Sequence, residues 1–284
     1  MDATSMTDEL TRAEGYMVQG QDEAARDLLS RLAEDAEEYV DRNCPVTDEL
    51  QWFSFPTLFD RLAYRRVEND PRELRDVGEP LDRLYADLAL ACVHTGDYEM
   101  AAASLRQAVR WNPMACEHRL NLADLCRIAG DMNECLALTY SVFERASQPG
   151  HLARAYVTFS QYFQVSKKPK AAAAALRAAR RLDVNESALA VALDQAAGGE
   201  CDPDGVGDDE VEGLLAAEGL PEGANADLAI CMLMCAVDYA RMGQGDEATR
   251  LTLRARDLVG EQAAMALMQL IRSDEDEVDD ANAS

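Results

Sequence analysis

Histidine and cysteine are the side chains of this sequence best suited to chemistry, and their placement gives no catalytic pattern. The three histidines are His94, His118 and His151. None of them stands in a metalloprotease, serine-hydrolase or nucleotide-binding motif. We therefore interpret His94 and His118 as surface or groove residues, and we expect a protein that is not an enzyme and uses no cofactor.

The eight cysteines also lack the spacing of a metal site, since the sequence contains no Cys-x-x-Cys pair. Cys231 and Cys235 are one helical turn apart, as two small buried side chains would be. The alternative, a metal pair, would need further ligands, and none stands nearby in the sequence. In a helix, Cys116 and Cys126 are about 15 Å apart and cannot join His118 around one ion. We expect no bound metal.

Charge and hydropathy argue against two large classes of partner. The chain has 284 residues, a formal net charge of −26 and 48% hydrophobic residues. It can bury a substantial core, and its surface would repel nucleic acid and anionic lipid. The stretch MDATSMTDELTRAEG is acidic, without the apolar core of a secretory signal, and the longest apolar run, 228–237, is about half a membrane span. We expect a cytoplasmic protein that binds neither nucleic acid nor membranes.

Elements that could position a binding surface are repeated along the chain. The segment 84–113 recurs about 34 residues later, so that Gly96-Asp97 becomes Gly130-Asp131 and Leu88-Ala89 becomes Leu122-Ala123. A third copy has Pro169 at its turn, and further copies surround 243 and, more weakly, 20. Each copy reads as two amphipathic helices joined by a tight turn.

This pattern resembles the tetratricopeptide repeat (TPR), with aromatic, apolar and small residues at the positions typical of that family: Tyr85, Leu88, Ala89, Cys92, Ala101, Leu105, Ala108 and Pro113. The resemblance implies an all-α protein, an α-α superhelix or TPR solenoid of antiparallel helix pairs. Small residues would lie where the two helices of a pair cross. The order of aromatic insert, GEPLDRLYADLAL and WNP also resembles a family of bacterial TPR proteins to which no activity is attached.

The remaining segments differ from the repeat in composition. Aromatic residues concentrate in 44–80, which we interpret as a cap against the first full repeat or, alternatively, as an aromatic binding surface. DPDG resembles the beginning of a calcium loop, but Val206 and Gly213 stand where that loop needs ligands. The predicted order is a degenerate TPR-like helix pair (1–43), the aromatic insert (44–80), three TPR units (81–197), a Gly/Asp-rich break with a short helix (198–226), a TPR-like unit with a capping helix (227–272) and an acidic disordered tail (273–284).

First helices of TPR solenoids line an inner groove, and counting by helical period predicts which side chains would face it. The predicted groove residues carry mixed charge, which suits an extended peptide or a helix of a partner protein: Arg83, Asp87, Leu90, Glu117, Asn121, Asp124, Arg154, Val157 and Gln161.

A second candidate surface is basic. Between His151 and Arg181 there is no acidic residue, and a basic strip is formed by Lys167, Lys168, Lys170, Arg177, Arg180 and Arg181. It either balances acidic neighbours or takes an acidic segment, from a partner or from the tail of the chain itself.

From these features we predict a non-catalytic scaffold or adaptor that binds a protein or peptide partner in its groove. The alternative is a regulatory sensor whose groove takes a short signalling peptide or a small ligand.

Overall fold

The computed structural model describes residues 5–282, with side chains up to residue 271. In that range fourteen α-helices are accompanied by one short 3-10 helix and two short strands, which confirms the all-α class. None of the helices in this part of the chain is long and apolar enough to cross a membrane. The chain divides between Leu138 and Thr139 into two compact units, called unit 1 and unit 2 below.

Unit 1 contains six helices and the beginning of a seventh. They are α1 (Met6–Val18), α2 (Asp22–Asn43), α3 (Leu58–Glu68), α4 (Leu81–His94), α5 (Tyr98–Trp111), α6 (Cys116–Ala129) and α7 (Met132–Arg145), the last of which crosses into unit 2. Side chains of Ser5, Thr57 and Asp97 cap the amino termini of α1, α3 and α5. Helix α4 packs against α1, α2 and α5, so the amino-terminal helix pair and the first full repeat share one core.

Unit 2 continues with α8 (Pro149–Val165), α9 (Pro169–Arg181), α10 (Ser187–Ala196), the 3-10 helix (Pro203–Gly205), α11 (Val211–Ala216), α12 (Ala226–Arg241), α13 (Gly245–Val259) and α14 (Glu261–Asn282). The disordered tail predicted for 273–284 is wrong as far as residue 282, because α14 continues through it. Extending an existing helix costs far less than starting one, and the segment has no Gly or Pro to stop it. Residues 283–284 lie outside the described residues.

Five helical hairpins turn in the same way. At each turn one residue has a left-handed backbone: Gly20, Gly96, Gly130, Lys167 and Gly243, with φ between 59° and 86°. Its N–H bonds the carbonyl three residues earlier at 3.0–3.2 Å, and the next N–H bonds the carbonyl five residues earlier at 2.8–2.9 Å. These two bonds satisfy carbonyls at the end of the first helix. The hairpins are therefore equivalent in backbone geometry, and Lys167 occupies a position where the other four have glycine.

Small residues lie buried where α4 and α5 pack together. Ala89 is 2% exposed, and Ala101 and Ala108 are fully buried. Leu88 and Leu105, each 4% exposed, fill the space around them. This is the packing expected from the sequence, because alanine lets two backbones approach while leucine fills the volume beside them.

Residues 44–80 form a small β-α-β element that the sequence did not predict. Strands β1 (Leu50–Phe53) and β2 (Glu73–Asp76) pair in parallel around α3. Both strands have four residues, too few for a periodic signal, and they are fixed by tertiary contacts instead. The main-chain N–H of Ser54 donates to the carbonyl of Trp111 at 2.9 Å. The insert therefore packs against the hairpin of α4 and α5.

Aromatic residues of the insert form its core. The ring centroid of Phe53 lies 4.8 Å from that of Phe55 and 4.6 Å from that of Tyr64. Phe53, Phe59 and Tyr64 are buried. These three rings stabilise the insert and are not available to a partner, so the alternative of an aromatic binding surface is not favoured.

Candidate functional site

One side of α1, α4 and α6 in unit 1 carries most of the predicted groove residues. On each helix these residues recur at helical spacing. Because the hairpin turns are equivalent, residues that lie the same number of positions before the turn occupy equivalent places. We call this surface the first-helix face; it consists of Glu14 and Val18 of α1, Arg83, Asp87, Leu90 and His94 of α4, and Glu117, Asn121, Asp124 and Ile128 of α6.

At the centre of the first-helix face, one arginine lies between two carboxylates. Arg83 donates from Nε (3.0 Å) and Nη2 (2.5 Å) to Glu14 Oε1. Its Nε also lies 3.7 Å from Asp87 Oδ2, which is too far for a hydrogen bond. The exposed fraction of the side chain is 37% for Arg83, 43% for Glu14 and 16% for Asp87. They form a cluster with a net negative charge.

Asp87 is the member of this cluster whose negative charge is least stabilised by its surroundings. Its Oδ2 atom is buried and has no hydrogen-bond partner among the described residues. Burial, together with the charges of Glu14 and Asp82, raises the pKa of Asp87 to about 6 against the lowering effect of Arg83. The ionised carboxylate of Asp87 is therefore destabilised by its surroundings.

Apolar side chains border the charged cluster. Leu90 lies one helical turn beyond Asp87 and is 46% exposed. Val18 and Ile128 occupy equivalent places two residues before the turns of their hairpins and are 88% and 66% exposed. The first-helix face thus combines carboxylates with exposed aliphatic side chains.

Helix α6 extends the acidic character of this face. Glu117 is exposed, and Asn121 and Asp124 are half-buried. The carboxylate of Asp124 is paired with Arg127 at 3.4 Å. All six groove residues predicted within unit 1 therefore have at least part of their surface exposed.

The histidines of unit 1 contact or approach carboxylates. His94 is exposed, and its Nδ1 lies 2.8 Å from Asp22 Oδ1 across the turn of the neighbouring hairpin. His118 is half-buried, and burial lowers its pKa, which favours the neutral imidazole. Within the described part of the chain, neither histidine is hydrogen-bonded to a Ser or Cys side chain that could act as a nucleophile.

The three groove residues predicted on α8 belong to unit 2 and differ in exposure. Arg154 is half-buried and Gln161 is exposed. Val157 is only 3% exposed, so its prediction as a groove residue is wrong. Helix α8 packs against α10 as well as α9, so more of its surface is covered than in an isolated helix pair.

Most of the basic strip contacts acidic residues of the same chain. Lys168 Nζ lies 2.5 Å from Glu218, Arg177 Nε lies 2.6 Å from Asp208, and Arg180 Nη2 lies 2.8 Å from Asp204. Arg181 contacts both Asp208 and Glu222.

These contacts belong to a packed segment rather than to a loose one. Hydrogen bonds from Arg177 and Arg181 lower the pKa of Asp208 to about 2. Val211 and Leu215, fully buried on α11, anchor the same segment, and α11 packs against α9. The geometry matches the interpretation in which the strip balances acidic neighbours. Among the described residues of the strip, only the side chains of Lys167 and Lys170 are exposed without a hydrogen bond or ion pair.

Glu14 is the member of the central cluster that the groove prediction missed. The prediction was counted from the three clearest repeats and left out the degenerate amino-terminal pair. A signal was available, because Glu14 precedes Gly20 by the same six residues that separate Leu90 from Gly96.

No group of three or more His, Cys, Asp or Glu side chains in the described part of the chain is arranged to hold a metal ion. No protein-family model matches the chain. No curated protein sequence is significantly similar to it.

Proposed function

We propose that this chain is a helical-repeat protein of the tetratricopeptide type that binds a partner protein without catalysing a reaction. The observation that carries the proposal is the equivalence of the five hairpin turns, which share backbone conformation and two hydrogen bonds. Repeated hairpins of this kind bury one side of each helix against a neighbour and leave a side of the first helices open. In a superhelical stack these open sides form the binding groove.

The composition of the first-helix face supports binding rather than structural packing. A surface used only for solubility would carry few exposed aliphatic side chains, whereas Leu90, Val18 and Ile128 are all largely accessible. These lie beside charged groups, as apolar contacts and polar rims do in protein interfaces.

The test compares two leucines with the same exposure. Leu90 on the first-helix face and Leu58 on α3 are each 46% exposed. The tagged full chain, its Leu90→Lys variant and its Leu58→Lys variant are used to capture proteins from the native cell, with quantification by mass spectrometry. We expect a partner that is lost with Leu90→Lys and retained with Leu58→Lys, while circular dichroism shows that both variants are folded.

Equal capture by both variants would place the interface elsewhere and overturn the proposal. The alternative function, a sensor for a small ligand, predicts another outcome. In that case no protein would depend on Leu90, and small molecules would raise the melting temperature of the wild-type chain but not of the Leu90→Lys variant.

A further inference from the structure

We infer that the first-helix face of unit 1 binds a basic segment of the partner, with a Lys or Arg side chain directed to Glu14 and Asp87 and an aliphatic side chain placed on Leu90. This inference rests on the proposed function and adds the chemical class of the partner to it.

The carboxyl of Asp87 has a buried oxygen, Oδ2, without a hydrogen-bond donor among the described residues. A buried acceptor without a donor costs about 1–3 kcal/mol, and Oδ2 of Asp87 is such an acceptor in the described structure. Among the described residues, the cation nearest to it is Arg83, at 3.7 Å, and that guanidinium donates to Glu14 instead. The side chain of Asp87 is 16% exposed, so a cation at the first-helix face can approach the carboxylate and offset its charge while Oδ2 stays buried.

The negative charge of the first-helix face is complementary to a basic segment. Glu14 and Asp87 share one arginine, so the cluster has room for one further positive charge. Glu117 and Asp124 add carboxylates on α6, where Asp124 is paired with Arg127. Because the whole chain has a formal net charge of −26, the surroundings strengthen attraction of a cation at long range. An acidic segment would be repelled at the same place.

The spacing of Asp87 and Leu90 along α4 allows one basic side chain to contact both. Leu90 follows Asp87 by three residues, which places it on the same side of the helix, about one turn further. Lys and Arg carry long aliphatic stems, so a basic side chain can contact Leu90 with its stem while its charged end reaches Asp87. A segment that alternates basic and aliphatic residues therefore fits this face better than a purely basic one.

The experiment measures fluorescence anisotropy of three labelled peptides of equal length with the full chain. All carry leucine at alternate positions, and the intervening residues are Arg in the first, Gln in the second and Glu in the third. The protein variants are Asp87→Asn, Glu14→Gln and a control, Glu34→Gln, which removes an exposed carboxylate from α2. Circular dichroism and thermal unfolding confirm that each variant is folded.

We expect the Arg peptide to bind most tightly and the Glu peptide not at all. Asp87→Asn and Glu14→Gln should each weaken the Arg peptide by about tenfold, because removing one partner of a close charge pair costs at least about 1.4 kcal/mol. Glu34→Gln should change its affinity by less than about twofold. Binding of the Gln peptide should be the same in all four proteins.

Three results would overturn the inference. They are an Arg peptide that binds no better than the Gln peptide, an Asp87→Asn effect equal to that of Glu34→Gln, and a divalent cation that competes with the peptide as the true occupant. The captured partner separates this inference from the proposed function. Capture that depends on Leu90 but not on Asp87 would leave the proposed function standing and remove the inference, whereas capture that depends on neither would remove both.

Discussion

Asp87→Asn should make the protein more stable at neutral pH, although it removes a charged group from the surface that we assign to binding. The pKa of this carboxyl is raised from an ordinary value of 3.8 to about 6. Each pKa unit corresponds to about 1.4 kcal/mol, so the ionised form is disfavoured in the folded state by at most about 3 kcal/mol. Solvent screening of a partly exposed side chain reduces this to about 1–2 kcal/mol.

The sign follows from which state binds the proton more tightly. An acid with a higher pKa in the folded state is stabilising when protonated, so the wild type loses stability as pH rises from about 4 to about 6. Burial is the main cause of this shift, and the charged groups that contribute to it are Glu14 on α1 and Arg83 and Asp82 on α4. Asparagine has the size of aspartate and no proton to lose in this range. The gap between the Asp87→Asn variant and the wild type should therefore open with rising pH.

The assay is urea unfolding followed by circular dichroism at pH 5, 6.5 and 8. These pH values lie above the sequence pI of about 4.4, because the protein would precipitate near its pI. We expect the free energy of unfolding of Asp87→Asn to exceed that of the wild type by about 1–2 kcal/mol at pH 8 and by about half as much at pH 5. Glu34→Gln serves as the control and should show no gap that depends on pH. A variant less stable than the wild type at pH 8 would refute the reasoning, because Asp87 would then have a stabilising partner.

Two further substitutions test the hairpins. Ala101→Leu should lower the free energy of unfolding by about 1–3 kcal/mol, since the added volume has no space between α4 and α5, and Ala103→Leu on the exposed side of α5 should change it little; equal effects in urea unfolding would show that Ala101 is not at the contact. Lys167→Gly should raise the melting temperature, with a gain of about 0.5–1 kcal/mol after the flexibility of glycine is subtracted, because it relieves a left-handed backbone at φ 59°. The Lys167→Ala variant keeps the cost of the left-handed backbone and should not be stabilised. If it were stabilised as much as Lys167→Gly, relief of the left-handed backbone could not be the reason.

The hairpins could be predicted from the sequence because their signals are local. Gly96-Asp97 and its copies mark turns within a few residues, and alternation of Ala and Leu over α4 and α5 fixes which sides pack together. The left-handed Lys167 was not foreseen, since lysine at this place gives no turn signal of its own. Its conformation is imposed by the helices on either side.

The features that could not be predicted depend on contacts between distant segments. The strands of the insert are held by α5, through the bond from Ser54 to Trp111. Val157 is buried by tertiary contacts, although its helical period predicted an open position. The ion pairs of the basic strip required knowing that 198–226 returns to α9. The repeat pattern places Glu14 and Arg83 on first helices, but it does not show that these two side chains, 69 residues apart, contact each other.

The placement of lysine has a practical consequence for labelling. All three lysines of the chain stand within four residues at the turn between α8 and α9. The amine of Lys168 is engaged by Glu218, while Lys167 and Lys170 are exposed. Apart from the terminal amine, dyes or cross-linkers that react with amines will attach at this one tip in unit 2. The carboxylates and leucine of the first-helix face in unit 1 stay unmodified, so immobilised protein can be presented to candidate partners with that face chemically intact.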